Sequence, residues 1–211
     1  MRTPLRAFLA RRLCAKLFVS LETGHMKKTY IYPGTFCPPH YGHVALAKEA
    51  AKVFGEITVV CSVNPVKNEK AVFTPKECEA MWRTYNLGEK IKVTTLEEFL
   101  KVRGQKDLVI MIRGIRDNND IVYENNVMIY NRDNFGITHY HYMIASKEFE
   151  KMSSTAARAA AKNNDREKLN RLVNQPVASK AIERLHNGSS EPREGDVGFA
   201  KLNKKLPAND E

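Results

Sequence analysis

Several common signatures are missing from this chain of 211 residues. No run of eighteen apolar residues occurs, so the sequence is not expected to span a membrane. The four cysteines, Cys14, Cys37, Cys61 and Cys78, form no CxxC pair and are too sparse for a disulfide framework. Free thiols in a reducing compartment, the cytoplasm, are expected. There is no Walker-type glycine loop and no GxGxxG turn. Zinc spacing, a basic recognition helix and an RNP-like aromatic run are also missing, so the net charge of +10 is not read as a nucleic-acid surface. Acid is scarce in residues 1–25, where Arg2, Arg6, Arg11, Arg12 and Lys16 face only Glu22. That stretch reads as a basic extension, disordered or targeting; a mitochondrial transit peptide has this composition. Met26-Lys27-Lys28 is a natural start for the folded part.

From Thr29 onward the pattern alternates strand and helix. Strands are expected at Thr29–Tyr32, Ile57–Ser62, Ile91–Thr94, Leu108–Ile112 and Thr138–Ile144. Leu108–Ile112 is the most hydrophobic run and is expected at the centre of the sheet. Helices are expected at Gly42–Phe54, Thr74 to Asn86-Leu87, Leu96–Val102, Asn119–Arg132, after Ser153 to Lys162, Asp165–Leu172 and Val177–Leu185. Thr74-Pro75-Lys76-Glu77 carries a cap, a first-turn proline and a capping-box acid. His139 and His141 on the last strand read as packed or solvated, not as a metal pair. Past His186 the composition turns to Gly, Ser, Pro and charge, a disordered tail over 187–211. The expectation is one α/β domain over 26–186: a doubly wound parallel sheet of about five strands, Rossmann-like, with a helical C-terminal region.

Ligands of such sheets bind beyond the carboxyl ends of the strands. Polar clusters fall there: Gly34–His43, Asn64–Lys70, Arg113–Arg116 and Ser146–Thr155. The first ends a strand at Pro33-Gly34 and enters a helix at Gly42, whose free N–H groups and dipole favour an anion. Arg113, Arg116, Lys67, His43 and the hydroxyls of Ser153, Ser154 and Thr155 suit a polyphosphate. With no carboxylate pair beside a candidate nucleophile and no Ser-His-Asp order, the fitting reaction is direct in-line attack on a nucleotide α-phosphorus.

Gly34-Thr35-Phe36 with His40-Tyr41-Gly42-His43 resembles the signature of the nucleotidyltransferase superfamily. Asn64-Pro65-x-Lys67 before Phe73-Thr74, Arg113-Gly114-Ile115-Arg116 with Asp120-x-x-Tyr123-Glu124 and Asn131-Arg132, and Met152-Ser153-Ser154-Thr155 resemble phosphopantetheine adenylyltransferases. The resemblance implies adenylyl transfer from ATP to 4′-phosphopantetheine with Mg²⁺, giving dephospho-CoA and pyrophosphate, in a homohexamer. It places His43, Lys67 and Arg116 in catalysis. Thr35, Lys67, Phe99 and Arg113 would hold the acceptor. Thr35, Phe36, His43, Gly114, Ile115, Arg116, Glu124, Phe149, Ser153, Ser154 and Thr155 would hold ATP.

The chain also departs from that family's pattern. Cys37 stands in place of the usual Asp, Cys78 in place of an Arg, and His40 in place of Thr. Two extra residues before Phe73 let Lys70 compete for Lys67's role. His40 and Arg158 keep open an adenylyltransferase for nicotinate or nicotinamide mononucleotide or another phosphorylated acceptor, and Cys37 keeps open a non-catalytic nucleotide- or CoA-binding regulator.

Overall fold

The structure, a computed structural model, describes residues 27–63, 71–104, 107–116 and 118–188. Five parallel strands are present: β1 (Lys28–Gly34), β2 (Ile57–Cys61), β3 (Ile91–Thr95), β4 (Leu108–Ile115) and β5 (His139–Ile144). They lie in the order β3-β2-β1-β4-β5. Between and after them run α1 (Tyr41–Phe54), α2 (Pro75–Arg83), α3 (Leu96–Val102), α4 (Asn118–Phe135), α5 (Ser154–Lys162), α6 (Arg166–Leu172) and α7 (Gln175–Leu185). A 3₁₀ turn, Lys147–Phe149, leads towards α5. The winding is that of a doubly wound sheet. The chain moves outward from β1 to β3, then returns to place β4 on the other side of β1.

Period-two alternation divides the strand residues between two apolar layers. Tyr32, Val59 and Ile112 face one layer, with Trp82 of α2 and the alanine-rich faces of α5 and α7. Their neighbours Ile31, Val60 and Met111 face the other, with Phe99 of α3 and Phe135 of α4. The two-sided burial explains why β2 reads as an unbroken apolar run.

Three expectations are corrected. The central strand is β1, not the more hydrophobic β4; hydrophobicity reports burial on both faces, which β1, β2 and β4 share, and not rank across the sheet. Helix α2 stops at Arg83 and does not reach Leu87. Thr84 closes it by donating its hydroxyl to the Met81 carbonyl at 2.6 Å, and the next residue turns Tyr85 into the core. Finally, β4 continues past Ile112 through Arg113, Gly114 and Ile115, which pair with Tyr142, Met143 and Ile144 of β5. The arginine-glycine block is therefore strand and not loop. The proposed extension over 1–25, Lys67, Lys70 and the tail from 189 lie outside the described residues.

Candidate active site

At the switch point, β1 and β4 lie side by side and the connections leaving them part in opposite directions. A cavity of about 500 Å³ opens there. Its polar end is built from three segments: the Gly34–His43 turn, the end of β4, and the N-terminus of α5. Four arginines (Arg103, Arg113, Arg116 and Arg158) and only two acids (Asp120 and Glu124) line it, which leaves an excess of positive charge.

The turn after β1 is held from below by Phe36. Its ring meets those of Tyr32, His43 and Trp82 edge-on, at centroid distances of 5.1, 5.0 and 5.0 Å. Phe36 adopts φ of 45°, a left-handed conformation that a bulky residue keeps only where packing demands it. Gly34 sits flush against that ring: a Cβ there would lie 2.7 Å from its Cζ. Gly42 is similarly confined, since a Cβ would come within 3.1 Å of the His40 ring and 3.3 Å of Phe149 Cβ.

His40 is the N-cap of α1, and its backbone N–H donates to His43 Nδ1 at 3.3 Å. That bond makes Nδ1 the acceptor and leaves the His43 proton on Nε2. Both imidazoles are neutral at neutral pH. Burial and then the nearby Arg116 lower the His40 pKa to about 4. Burial, then His40, Arg116 and Arg113, hold His43 well below the usual histidine value. A neutral His43 with a fixed tautomer is a ready N–H donor on the cavity wall.

Arg113 donates through Nε and Nη2 to both oxygens of Glu124, at 2.7 and 2.6 Å, and through Nη1 to the Pro33 carbonyl at 2.7 Å. These bonds tie α4, β4 and β1 together at the centre of the site. Arg116 makes a similar fork to Asp120, with both distances 2.9 Å, and remains more exposed. At α5, Ser153 caps by accepting the Ala156 N–H at 3.0 Å. Ser154 donates to the Pro38 carbonyl at 2.8 Å and Arg158 to the Cys37 carbonyl at 2.7 Å. The α5 N-terminus is thereby clamped to the Gly34–His43 turn, so two helix N-termini open on one cavity.

Away from the phosphate-suited end, the cavity continues between α3 and α4 as an apolar arm past Phe99, Met111, Val127, Tyr130 and Ile137. The arrangement can seat an anion-rich ligand at one end and a long, largely apolar chain at the other.

A cytidylyltransferase-like family model matches residues 31–160, from within β1 to most of α5. The phosphopantetheine adenylyltransferase of Aquifex aeolicus is 31% identical over 169 residues, covering 78% of this chain and all of that protein. That of Buchnera aphidicola subsp. Acyrthosiphon pisum is 34% identical over 140 residues, covering 65% of this chain and 84% of that one. The chain belongs to the phosphopantetheine adenylyltransferase family, within the cytidylyltransferase-like group. Among solved structures, the Plasmodium falciparum nicotinic acid mononucleotide adenylyltransferase complexed with NaAD superposes with a TM-score of 0.53 at 16% identity. That match covers 74% of this chain and 95% of that one, and it shows a shared fold.

In this member of the family, most residues expected at the site do meet. Thr35, Phe36, His43, Phe99, Arg113, Gly114, Arg116, Glu124, Phe149, Ser153, Ser154 and Thr155 all line the cavity. Ile115 does not: its carbonyl accepts the Ala145 N–H at 3.0 Å, within the join between β4 and β5. Glu124, expected as an ATP contact, is the partner of Arg113. The sequence reading missed the wall that α4 gives to the arm. Val127, Tyr130 and Asn131, at helical i, i+3, i+4 spacing, were its available signal.

Proposed function

We propose that this protein transfers the adenylyl group of ATP to 4′-phosphopantetheine, releasing pyrophosphate and forming dephospho-CoA in coenzyme A biosynthesis. The observation that carries the reading is the two-ended cavity, with arginines and two helix N-termini at one end and an apolar arm beside Phe99 at the other. The full-length match to the Aquifex aeolicus relative supports it.

An acceptor phosphate oxygen attacks the α-phosphorus of ATP. The bond from that phosphorus to the oxygen bridging to the β-phosphate breaks, and pyrophosphate leaves. His43 donates from Nε2 to the phosphoryl oxygens where charge accumulates, a contact that strengthens in the transition state. Arg116 and the N-termini of α1 and α5 neutralise the polyphosphate. Arg113, positioned by Glu124, presents the acceptor phosphate, and Lys67 would add a positive charge.

Among the described residues no three His, Cys, Asp or Glu side chains gather as a metal cage. The two acids on the wall are both engaged by arginines. Mg²⁺ is therefore read as entering on the nucleotide, held by phosphate oxygens, and no step here runs through it. A homohexameric assembly belongs to the same proposal; the exposed Ile121, Val122 and Ile129 on α4 support burial against another copy. No helix among the described residues is long and apolar enough to cross a membrane; action in the cytoplasm is likewise part of the proposal.

The test is pyrophosphate release from ATP and Mg²⁺, with 4′-phosphopantetheine and nicotinate mononucleotide as separate acceptors. Release with phosphopantetheine is expected. Faster release with the mononucleotide would reassign the acceptor, and release with neither would leave a binding protein.

A further inference from the structure

Two reactive side chains beside the site have no part in the chemistry above. Cys37 and Cys78 are 6% and 0% exposed within one core cluster, and both are free thiols. Their meeting follows from the way α2 begins. The Phe73 backbone N–H donates to Cys37 Sγ at 3.3 Å, and Phe73 immediately precedes Thr74, the N-cap of α2. Cys78 stands one turn into that helix, its N–H donating to the Thr74 carbonyl at 2.9 Å. Side chains just before a cap and one turn beyond it meet across the first turn. The Cys78 side chain therefore packs onto the residue that holds the Cys37 sulfur. Of the groups that favour the Cys37 thiolate, the Cys78 thiol comes first, ahead of the Phe73 N–H and Arg158. The thiolate is the form that oxidants attack.

We propose that Cys37 and Cys78 are a redox-modification site, joined by hydrogen peroxide in a reversible disulfide that lowers turnover. The Cys37 thiolate attacks one peroxide oxygen, the O–O bond breaks, hydroxide leaves, and Cys37 becomes a sulfenic acid. Cys78 loses its proton to that hydroxide, and its sulfur attacks the Cys37 sulfur and displaces the sulfenic hydroxyl. Both sulfurs are oxidised and the peroxide is reduced to water; a dithiol reverses the bond by exchange. Burial favours an oxidant this small over bulkier disulfides. The bond draws the sulfurs to about 2.05 Å, well inside the contact distance of unbonded thiols. Cys37 follows Phe36, whose ring supports His43 at 5.0 Å, and its own carbonyl accepts from Arg158 at 2.7 Å. A pull on Cys37 towards α2 thus shifts the support under His43 and the clamp to α5 together.

The experiment exposes the full chain to hydrogen peroxide, with half of the sample then reduced by dithiothreitol. Free thiols are alkylated in guanidinium and the peptides mapped by mass spectrometry. A Cys37–Cys78 linked peptide is expected, with kcat for pyrophosphate release lower on the order of 10- to 100-fold and restored by the reductant. Trp82, the single tryptophan, packs edge-on against Phe36 at 5.0 Å. Its fluorescence should change with the link and return on reduction, which reads the turn whatever the acceptor. Cys14→Ser/Cys61→Ser should respond as the wild type. Cys78→Ser should form no such link, and dimedone should trap the sulfenic acid on Cys37. Each variant is compared with its own untreated sample, and circular dichroism establishes that it is folded. Links made through Cys14 or Cys61 instead, or no link at all, would overturn the site. A Cys37–Cys78 link that changes neither kcat nor Trp82 fluorescence would overturn its effect on the active site. Pyrophosphate release with neither acceptor would sink the proposed reaction alone, since the link and the fluorescence still decide this proposal.

Discussion

The imidazole of His40 lies against that of His43, with ring centroids 3.6 Å apart and planes 25° from parallel. Two stacked, buried rings beside Arg116 cannot both accept protons without placing positive charges in contact. The stack therefore couples the site to acid. Both groups have folded-state pKa values below the ordinary 6.5, His40 at about 4. The unfolded chain binds more protons below 6.5, so stability from these rings is full above that pH and is lost as pH falls towards 4. The melting temperature should drop between pH 7 and pH 5. His40→Asn, which keeps a good cap, should flatten part of that slope. An identical slope in this variant would show that carboxylates alone cause the acid sensitivity.

His43→Ala should reduce turnover on the order of 100-fold, the usual cost of removing one transition-state donor. ATP affinity should change only a few-fold, because the contact strengthens as charge builds. Single-turnover rates and equilibrium ATP titration separate the two. Near-wild-type turnover would remove His43 from the mechanism.

Glu124 and Arg113 form a doubly bonded pair whose side chains are only 6% and 16% exposed. Glu124→Gln leaves a buried guanidinium without its counter-charge, which costs roughly 3–5 kcal/mol. A fall in melting temperature on the order of 10 °C is expected, with a higher KM for the acceptor. The double variant Arg113→Met/Glu124→Met should regain much of the stability and none of the acceptor binding. If it regains both, Arg113 is structural and the acceptor phosphate is held elsewhere.

The sequence exposed the parts of this fold whose signals are local. Thr74-Pro75-Lys76-Glu77 announces a helix start because each residue satisfies a backbone group within one turn, and the structure has both capping-box bonds. Gly34-Thr35-Phe36 and His40–His43 were legible as a turn feeding a helix. Pairings between distant residues were not. That Glu124 is the partner of Arg113 depends on α4 packing over β4, and neither residue's neighbours in sequence encode it. The rank of β1 across the sheet, the pairing that keeps Ile115 off the cavity wall and the arm beside Phe99 are likewise consequences of packing.

Cys37 and Cys78 are both buried in the same core cluster, where the Cys78 thiol favours the thiolate of Cys37. The Cys37 thiol is lowered from 9.0 to about 7 by the Cys78 S–H first, against the opposing effect of burial, with help from the Phe73 N–H and Arg158. Thiolate ultraviolet absorbance of the native protein should show a step below the ordinary thiol range, absent from Cys37→Ser. Cys78→Ala should move that step upward, since burial then dominates. A native protein with no step below pH 9 would mean that Cys37 stays protonated at neutral pH.

Gly34→Ala probes the support under His43. The added methyl would lie 2.7 and 2.8 Å from ring atoms of Phe36. That ring cannot swing aside, because Tyr32, Trp82 and His43 surround it. Overpacking of this kind costs about 1–3 kcal/mol, and the displaced ring pushes on His43. The expected result is a lower melting temperature together with a fall in kcat that exceeds any rise in KM for ATP, as befits a misplaced donor. Enlarging the neighbouring space with Trp82→Phe should recover part of the kcat lost in Gly34→Ala, through room for Phe36 to retreat. A kcat that stays at the wild-type value in Gly34→Ala would show that His43 is positioned by its bond to His40 alone, and that Phe36 serves only the core.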